Sequence, residues 1–310
     1  MIKVNSEKEL TKALSDQSVL VIHLEGTIEI EADAEKECLF EINRQHLTVI
    51  GRNGLIKVKL NGRSSHDFSV FKLTNEAKDI TFENINIELK HQEGYIGKSL
   101  SAISNYAKNT VIRECTIKIE GCAGNVTGIM NDGNLNTTLE TRADNCIFTN
   151  NYIYSSCRGE QKGTAYGIIN IYANSANISG NEVTAHNTVK DGRAVCLYNS
   201  GRFLMVNGNK YNSINGEGDA IGIYNNGMYM LFSQNDVVVS GSREYGYICP
   251  SGSYSRIEDN TIMTSGEQAW GIVTQAVKCM ILHNRYYATE YKSESFSYGT
   301  LVYGNIYLGE

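Results

Sequence analysis

AYGIINIYANSANISGNEVTAH, Ala165 to His186, decides the fold. It holds a short apolar run opening on a small residue, Gly167-Ile168-Ile169. A second run ends in the turn Ile178-Ser179-Gly180-Asn181, and a third follows at Glu182-Val183-Thr184. Runs of four to six residues rich in Ile, Val, Tyr and Thr, without helical periodicity and divided by turns, are strands. The stretch is therefore three short strands in succession.

The same plan recurs outward in both directions. Its turn asparagine is traced through Asn84, Asn151, Asn181, Asn209, Asn235, Asn260, Asn284 and Asn305, and from Asn181 the intervals are about 28, 26, 25, 24 and 21 residues. One copy, Ile112 to Ile117, has lost its asparagine. Strands that repeat head to tail in space pair in parallel, each coil on the next, and no coil buries its apolar side alone. The prediction is an all-β parallel β-helix of roughly nine coils, three strands per coil. Asn suits such a repeated turn because it tolerates a left-handed conformation and carries both a donor and an acceptor.

The 310 residues show no composition break or Gly/Ser linker, so one elongated domain, 1–310, is expected. A net charge of −6 argues against nucleic acid or an anionic membrane as the main partner. No apolar run is long enough to span a bilayer, and MIKVNSEKEL lacks the apolar core of a signal peptide. The expected location is thus cytoplasmic if the chain is complete and secreted otherwise. Eight cysteines without CxxC spacing read as reduced thiols in or beside strands.

Ser6 and Glu9 stand at capping-box spacing, and Leu10, Ala13 and Leu14 make one apolar face. Residues 6–16 are therefore expected to form a helix that closes the N-terminal end of the stack. The order of this helix, then Val21-Ile-His-Leu-Glu-Gly-Thr-Ile28, then Leu47-Thr-Val-Ile-Gly-Arg-Asn-Gly54, resembles the opening of pectate lyases and related pectin-lyase-like proteins. With the coil repeat from Ile80 onward, the resemblance covers nearly the whole chain. It implies a right-handed, single-stranded β-helix and a structural asparagine ladder. It does not carry over the catalytic motifs. The only proline is Pro250, so the R-x-P of pectate lyases and the D-P-H-D of alginate epimerases are missing. The polygalacturonase set of N-x-D, D-D, G-H-G and R-I-K is missing too.

Loops that vary on a rigid scaffold are where function sits. The long ones are 91–99, 131–143, 156–164 and 186–192, which places a cleft near coils built from residues 90–245. Aligned on the small-residue strand, Tyr166, Arg193, Asp219, Tyr245, Trp270 and Tyr298 form one outward column, charged groups flanked by aromatics. Ring faces would pack on sugars while charges hold hydroxyls or a uronate carboxylate. His186, Lys190, Asp191, Glu217, Arg243, Glu244 and Glu267 lie around it. Carboxylates on adjacent or alternate coils would stand about 5 or 10 Å apart, bracketing glycosidase spacings. A uronate lyase would instead need a base beside a positive charge. The catalytic candidates are Arg193, Asp219, Glu244 and Asp191, and the substrate-binding candidates are Tyr166, Tyr245, Trp270, His186 and Lys190. A register slip would turn Arg193 and Asp219 to the other face and leave a plain salt bridge.

No cofactor is expected. Asp132 with Asp144 is the nearest approach to a calcium site. At the C-terminal end the repeat stops at Tyr303 to Leu308, which predicts either end-on association of two copies or a cap from Tyr287 to Phe296. Fold does not give function. The first reading is a lyase or hydrolase of an acidic or acetylated glycan, with an oligo- or polysaccharide as substrate. The alternatives are a non-catalytic binding or fibre solenoid, and an intracellular isomerase or cyclase with a pocket under the 131–164 loops.

Overall fold

A computed structural model describes all residues except 53, 134–141, 160–161, 267, 289–293, 296–298 and 309–310. The strands visit three sheets in strict rotation, as in Gln45–Gly51, Leu55–Asn61 and Phe68–Leu73, before returning to the first sheet at Lys78–Glu83. The described strands make a first, second and third sheet of 12, 11 and 10 members, each strand pairing in parallel with its counterpart one coil away. This is a right-handed parallel β-helix, the hand favoured when parallel strands are joined by crossovers. Loops between the second and third sheets form one corner of the stack, and those between the third and first form another.

The interior is filled by stacked apolar side chains. Phe40, Phe71 and Phe82 pack ring on ring at centroid distances of 5.2 and 5.0 Å. Across the coil, the second sheet's branched residues press against the third sheet's backbone. A Cβ at Gly167 would stand 2.1 Å from Val183 Cγ1, and one at Gly222 would stand 2.3 Å from Val237 Cγ1. That contact explains the small residue that opens the third-sheet runs.

The expected ladder is present. From Asn151 through Asn181, Asn209, Asn235, Asn260 and Asn284 to Asn305, each side-chain Nδ2 donates to the next Oδ1 at 2.9–3.0 Å. Each backbone N–H donates to that same oxygen, and Nδ2 also reaches a strand carbonyl such as Ile178 O. The left-handed residue is the one before the asparagine, however: Gly180, Gly208, Gln234, Asp259 and His283 carry the positive φ. The ladder residue is chosen for its amide, not for its backbone. Cys115 fills the empty rung and gives its backbone N–H to Asn151 Oδ1. Asn84 is a left-handed turn residue, and buried Ile85 follows it.

A second ladder, not anticipated from the sequence, runs along the end of the third sheet. Asn105, Asn131, Asn170, Asn199 and Asn225 are fully buried, with Nδ2 to Oδ1 distances of 2.6, 2.7, 2.8 and 2.8 Å. Both chains of amides donate toward the C-terminal end.

The N-terminal helix is Glu7–Ser15, capped by Ser6, whose Oγ accepts from Glu9 N, and it buries Leu10, Ala13 and Leu14. Glu9 Oε2 in turn accepts from Asn5 N at 3.0 Å. A strand at Ile2–Val4 precedes the helix and pairs with Val21–Leu24, extending the first sheet past the expected boundary. Buried Arg44 ties the helix exit down by donating to the carbonyls of Asp16 and Gln17. At the far end, Val302 continues the row of buried Ile281 but is 37% exposed, beside exposed Leu301, Tyr303 and Leu308. The expected cap from Tyr287 to Phe296 falls largely outside the described residues. Among the described residues no helix is long and apolar enough to cross a membrane. All eight thiols are free, six of them buried.

Candidate functional site

The third-sheet strands begin Thr164, Arg193, Asp219, Arg243 and Gln268, and these five residues pair directly, coil on coil. Two positions along, the row reads Tyr166, Val195, Ile221, Tyr245 and Trp270. The expected single column is therefore two neighbouring rows. Arg193 and Asp219 are displaced by two residues from the aromatics, because Tyr166 pairs with Val195. A shift of two keeps a side chain on its face, whereas a shift of one would have reversed it.

Asp219 lies between two guanidiniums. Arg193 Nε is 3.3 Å from Oδ2, and Arg243 Nη2 is 2.5 Å from Oδ1. The Asp219 side chain is 11% exposed, whereas the arginines are 56% and 54% exposed. The triplet carries one net positive charge, and each guanidinium has five N–H donors with Asp219 as its one described side-chain partner. Tyr245 stacks on Trp270 at 4.8 Å with 6° between planes. Burial, then the negative charge of Asp219, pushes the Tyr245 phenol up against a smaller opposing effect of Arg243 and Arg193. Burial likewise raises the Tyr166 phenol, with Tyr198 adding to it. Tyr166, Arg193, Asp219, Arg243, Tyr245 and Trp270 thus share one neighbourhood.

The other candidates lie elsewhere. Glu244 pairs in register with Ala220 and Ala269 and is 1% exposed; its carboxylate accepts from Gly241 N at 2.8 Å and Ser265 N at 2.5 Å. It is a corner brace facing away from the arginines. Lys190 and Asp191 are exposed on the loop just before Arg193, with Asp191 in a left-handed turn. His186 stands on the second sheet, its Nδ1 3.3 Å from Tyr154 Oη. Burial and then Arg158 lower its pKa, favouring the neutral ring. With Glu217 it lines a depression of about 440 Å3 at the corner between the second and third sheets. A larger one, about 720 Å3, lies at the same corner in earlier coils, between Arg63 and Arg158. Glu267 and Tyr298 fall outside the described residues, as do parts of the 131–143 and 156–164 loops.

For the calcium candidate, Asp144 Oδ1 accepts from Asn174 N at 2.6 Å and lies 3.9 Å from Arg142. Among the described residues, no three His, Cys, Asp or Glu side chains converge as a metal site.

Two aromatic groupings escaped sequence reading. Tyr198 stacks on Tyr224 at 5.4 Å beside Tyr166. Phe203, Tyr229 and Tyr254 stack at 5.1 Å along the corner between the third and first sheets, with Lys278 over Tyr254. All four of these corner residues have positive φ. Their signal was a period of one aromatic per coil, split over two rows and a loop.

No protein-family model matches the chain, and no curated protein matches its sequence. Solved structures do match. The chain is similar to the Streptococcus pneumoniae surface protein and adhesin PfbA, at 12% identity and a TM-score of 0.55, over 97% of this chain and 92% of that one. It is also similar to the Dettilon tailspike protein, at 13% identity and a TM-score of 0.54, over 93% of this chain and 61% of the tailspike. It shares with them the right-handed parallel β-helix fold. At these identities the likeness reaches no further than the fold. The chain spans less than two thirds of the tailspike's length.

Proposed function

We propose that this protein is a carbohydrate-binding β-helix that holds an acidic glycan along the outer edge of the third sheet. One observation carries the reading: Arg193 and Arg243, half exposed, share the single carboxylate of Asp219 and retain charge and donors for a ligand carboxylate or sulfate. Tyr245 and Trp270 lie beside them. That a surface adhesin and a tailspike protein share the fold is in keeping with a surface-binding role.

Binding is better supported than cleavage. Asp219 is paired with two arginines, and Glu244 is buried and accepts from two backbone N–H groups, so both carboxylates are already engaged within the fold. The cleavage reading, a lyase or hydrolase, rests on Asp191, exposed two residues before Arg193. The test is titration with uronate, sulfated and neutral oligosaccharides, with the ultraviolet absorbance of an unsaturated product and reducing ends followed in parallel. Charge-assisted hydrogen bonds contribute about 1.5–3 kcal/mol, so Arg193→Ala with Arg243→Ala should weaken acidic ligands roughly ten- to hundredfold. Unchanged affinity would refute this placement of the ligand. Product release lost in Asp191→Asn would establish cleavage.

A further inference from the structure

The geometry points to a second anion-binding site, at the corner between the second and third sheets in the N-terminal half. It rests on the glycan reading for the class of its ligand but not for its position. The depression there, about 720 Å3, falls within the ~300–1,000 Å3 range of small-ligand pockets.

Among the described residues, Arg63, Lys90 and Arg158 line it against one carboxylate, Glu120, a local excess of two cations on a protein of net charge −6. Glu120 is already shared, touching Arg158 and standing 3.9 Å from Lys90, while Arg63 has no acid partner among the described residues. An excess of cations in a concave, partly desolvated place attracts an anion more strongly than the same charges spread over a convex surface.

The wall of the depression is closely packed, and three of its glycines leave no room for a side chain behind it. A Cβ at Gly94 would stand 2.1 Å from Gly62 O, one at Gly121 2.4 Å from Leu100 Cδ2, and one at Gly159 2.5 Å from Cys122 Sγ. Gly94 and Gly159 also hold φ of 104° and 114°, which strain any other residue. Tyr95 supplies what the third-sheet strip lacks. The facing sides of Tyr245 and Trp270 cover each other, whereas half-buried Tyr95 has no aromatic partner among the described residues. A ring face beside an excess of cations fits a sugar bearing a carboxylate or sulfate: its C–H face lies on the ring and its anion meets the arginines.

Cys122, half-buried in the lining, reports occupancy, and Cys38, half-buried in another coil, is the internal reference. Alkylation rates of both thiols would be measured on the full chain, with and without a uronate, a sulfated and a neutral oligosaccharide. At least one acidic ligand should slow Cys122 about fivefold or more and leave Cys38 unchanged, and which one does so identifies the anionic group. Arg63→Gln with Arg158→Gln, and separately Tyr95→Ala, should raise the half-protecting concentration about tenfold, and Glu120→Gln should lower it. Each variant is compared with its own ligand-free rate and checked for native circular dichroism.

No protection by either acidic ligand, equal protection by the neutral one, or protection indifferent to Arg63, Arg158 and Tyr95 would overturn the site. Protection that survives Arg193→Ala with Arg243→Ala while overall affinity is unchanged would uphold this site and sink the third-sheet reading. The converse result would do the reverse.

Discussion

Replacing Asn209 by alanine should cost far more than its size suggests. Its Oδ1 accepts from Asn181 N and Asn181 Nδ2, both at 2.9 Å, and its Nδ2 donates to Ile178 O and Asn235 Oδ1, also at 2.9 Å. Asn235 Oδ1 keeps the backbone N–H of residue 209. Two donors, Asn181 N–H and one hydrogen of Asn181 Nδ2, are then left unpaired at a site 1% exposed, and Ile178 O loses one of its bonds. Each buried unpaired group costs about 1–3 kcal/mol, so even partial relaxation leaves a loss of about 3–5 kcal/mol, against total stabilities of about 5–15 kcal/mol. Because solenoids open locally, urea unfolding should be paired with amide hydrogen exchange. The Asn181 amide should exchange roughly two orders of magnitude faster while amides in the first coils hold. A loss under about 1 kcal/mol, with Asn181 still protected, would show that the ladder fills space rather than bearing load.

Cys115→Asn restores the missing rung opposite Asn151 and should leave stability unchanged or raise it by about 1 kcal/mol in the same urea titration; a clear loss would mean the rung geometry is not continuous there. Gly167→Ala drives a methyl into Val183 and should lower stability by about 1–3 kcal/mol, and Gly167→Ala with Val183→Ala should recover part of that; no recovery would place the clash elsewhere. The His186 pKa is lowered from 6.5, so between its folded value and 6.5 the unfolded chain binds more protons. Its contribution is therefore present above pH 6.5 and lost as pH falls through the folded value. His186→Gln should flatten that part of the pH–stability curve; an unchanged slope would assign it to other groups.

The fold was legible because a coil's constraints are local and repeat. The small residue at Gly167, the asparagine at Asn181 and the intervals between copies each reflect one contact with the next coil. The second ladder was equally periodic, at 26, 39, 29 and 26 residues, but the long interval between Asn131 and Asn170 spans the 131–143 loop and masks the repeat. The site was harder to read because register turns on loop length. Tyr166 and Arg193 each precede a small residue, yet Gly167 faces the Val183 side chain whereas Ala194 pairs with Ala165, so alignment on small residues slipped by two. Glu244 could not be told from a groove acid, since its bonds run to the backbone of two corner loops. Arg63 and Tyr95 are distant in sequence, and only the corner brings them together.

The amide ladders give the stack an electrical direction. Every rung from Asn105 to Asn225, and from Asn151 to Asn305, points its N–H the same way, so the side-chain dipoles add, and each bond polarises the next. The helix Glu7–Ser15 covers the coil at the opposite end. Two copies meeting at the exposed coil of Leu301 to Leu308 would therefore meet tail to tail and set like poles against each other. The apolar contact made by Val302, Tyr303 and their neighbours would have to outweigh that opposition, which makes such a pairing weaker than its buried area alone implies.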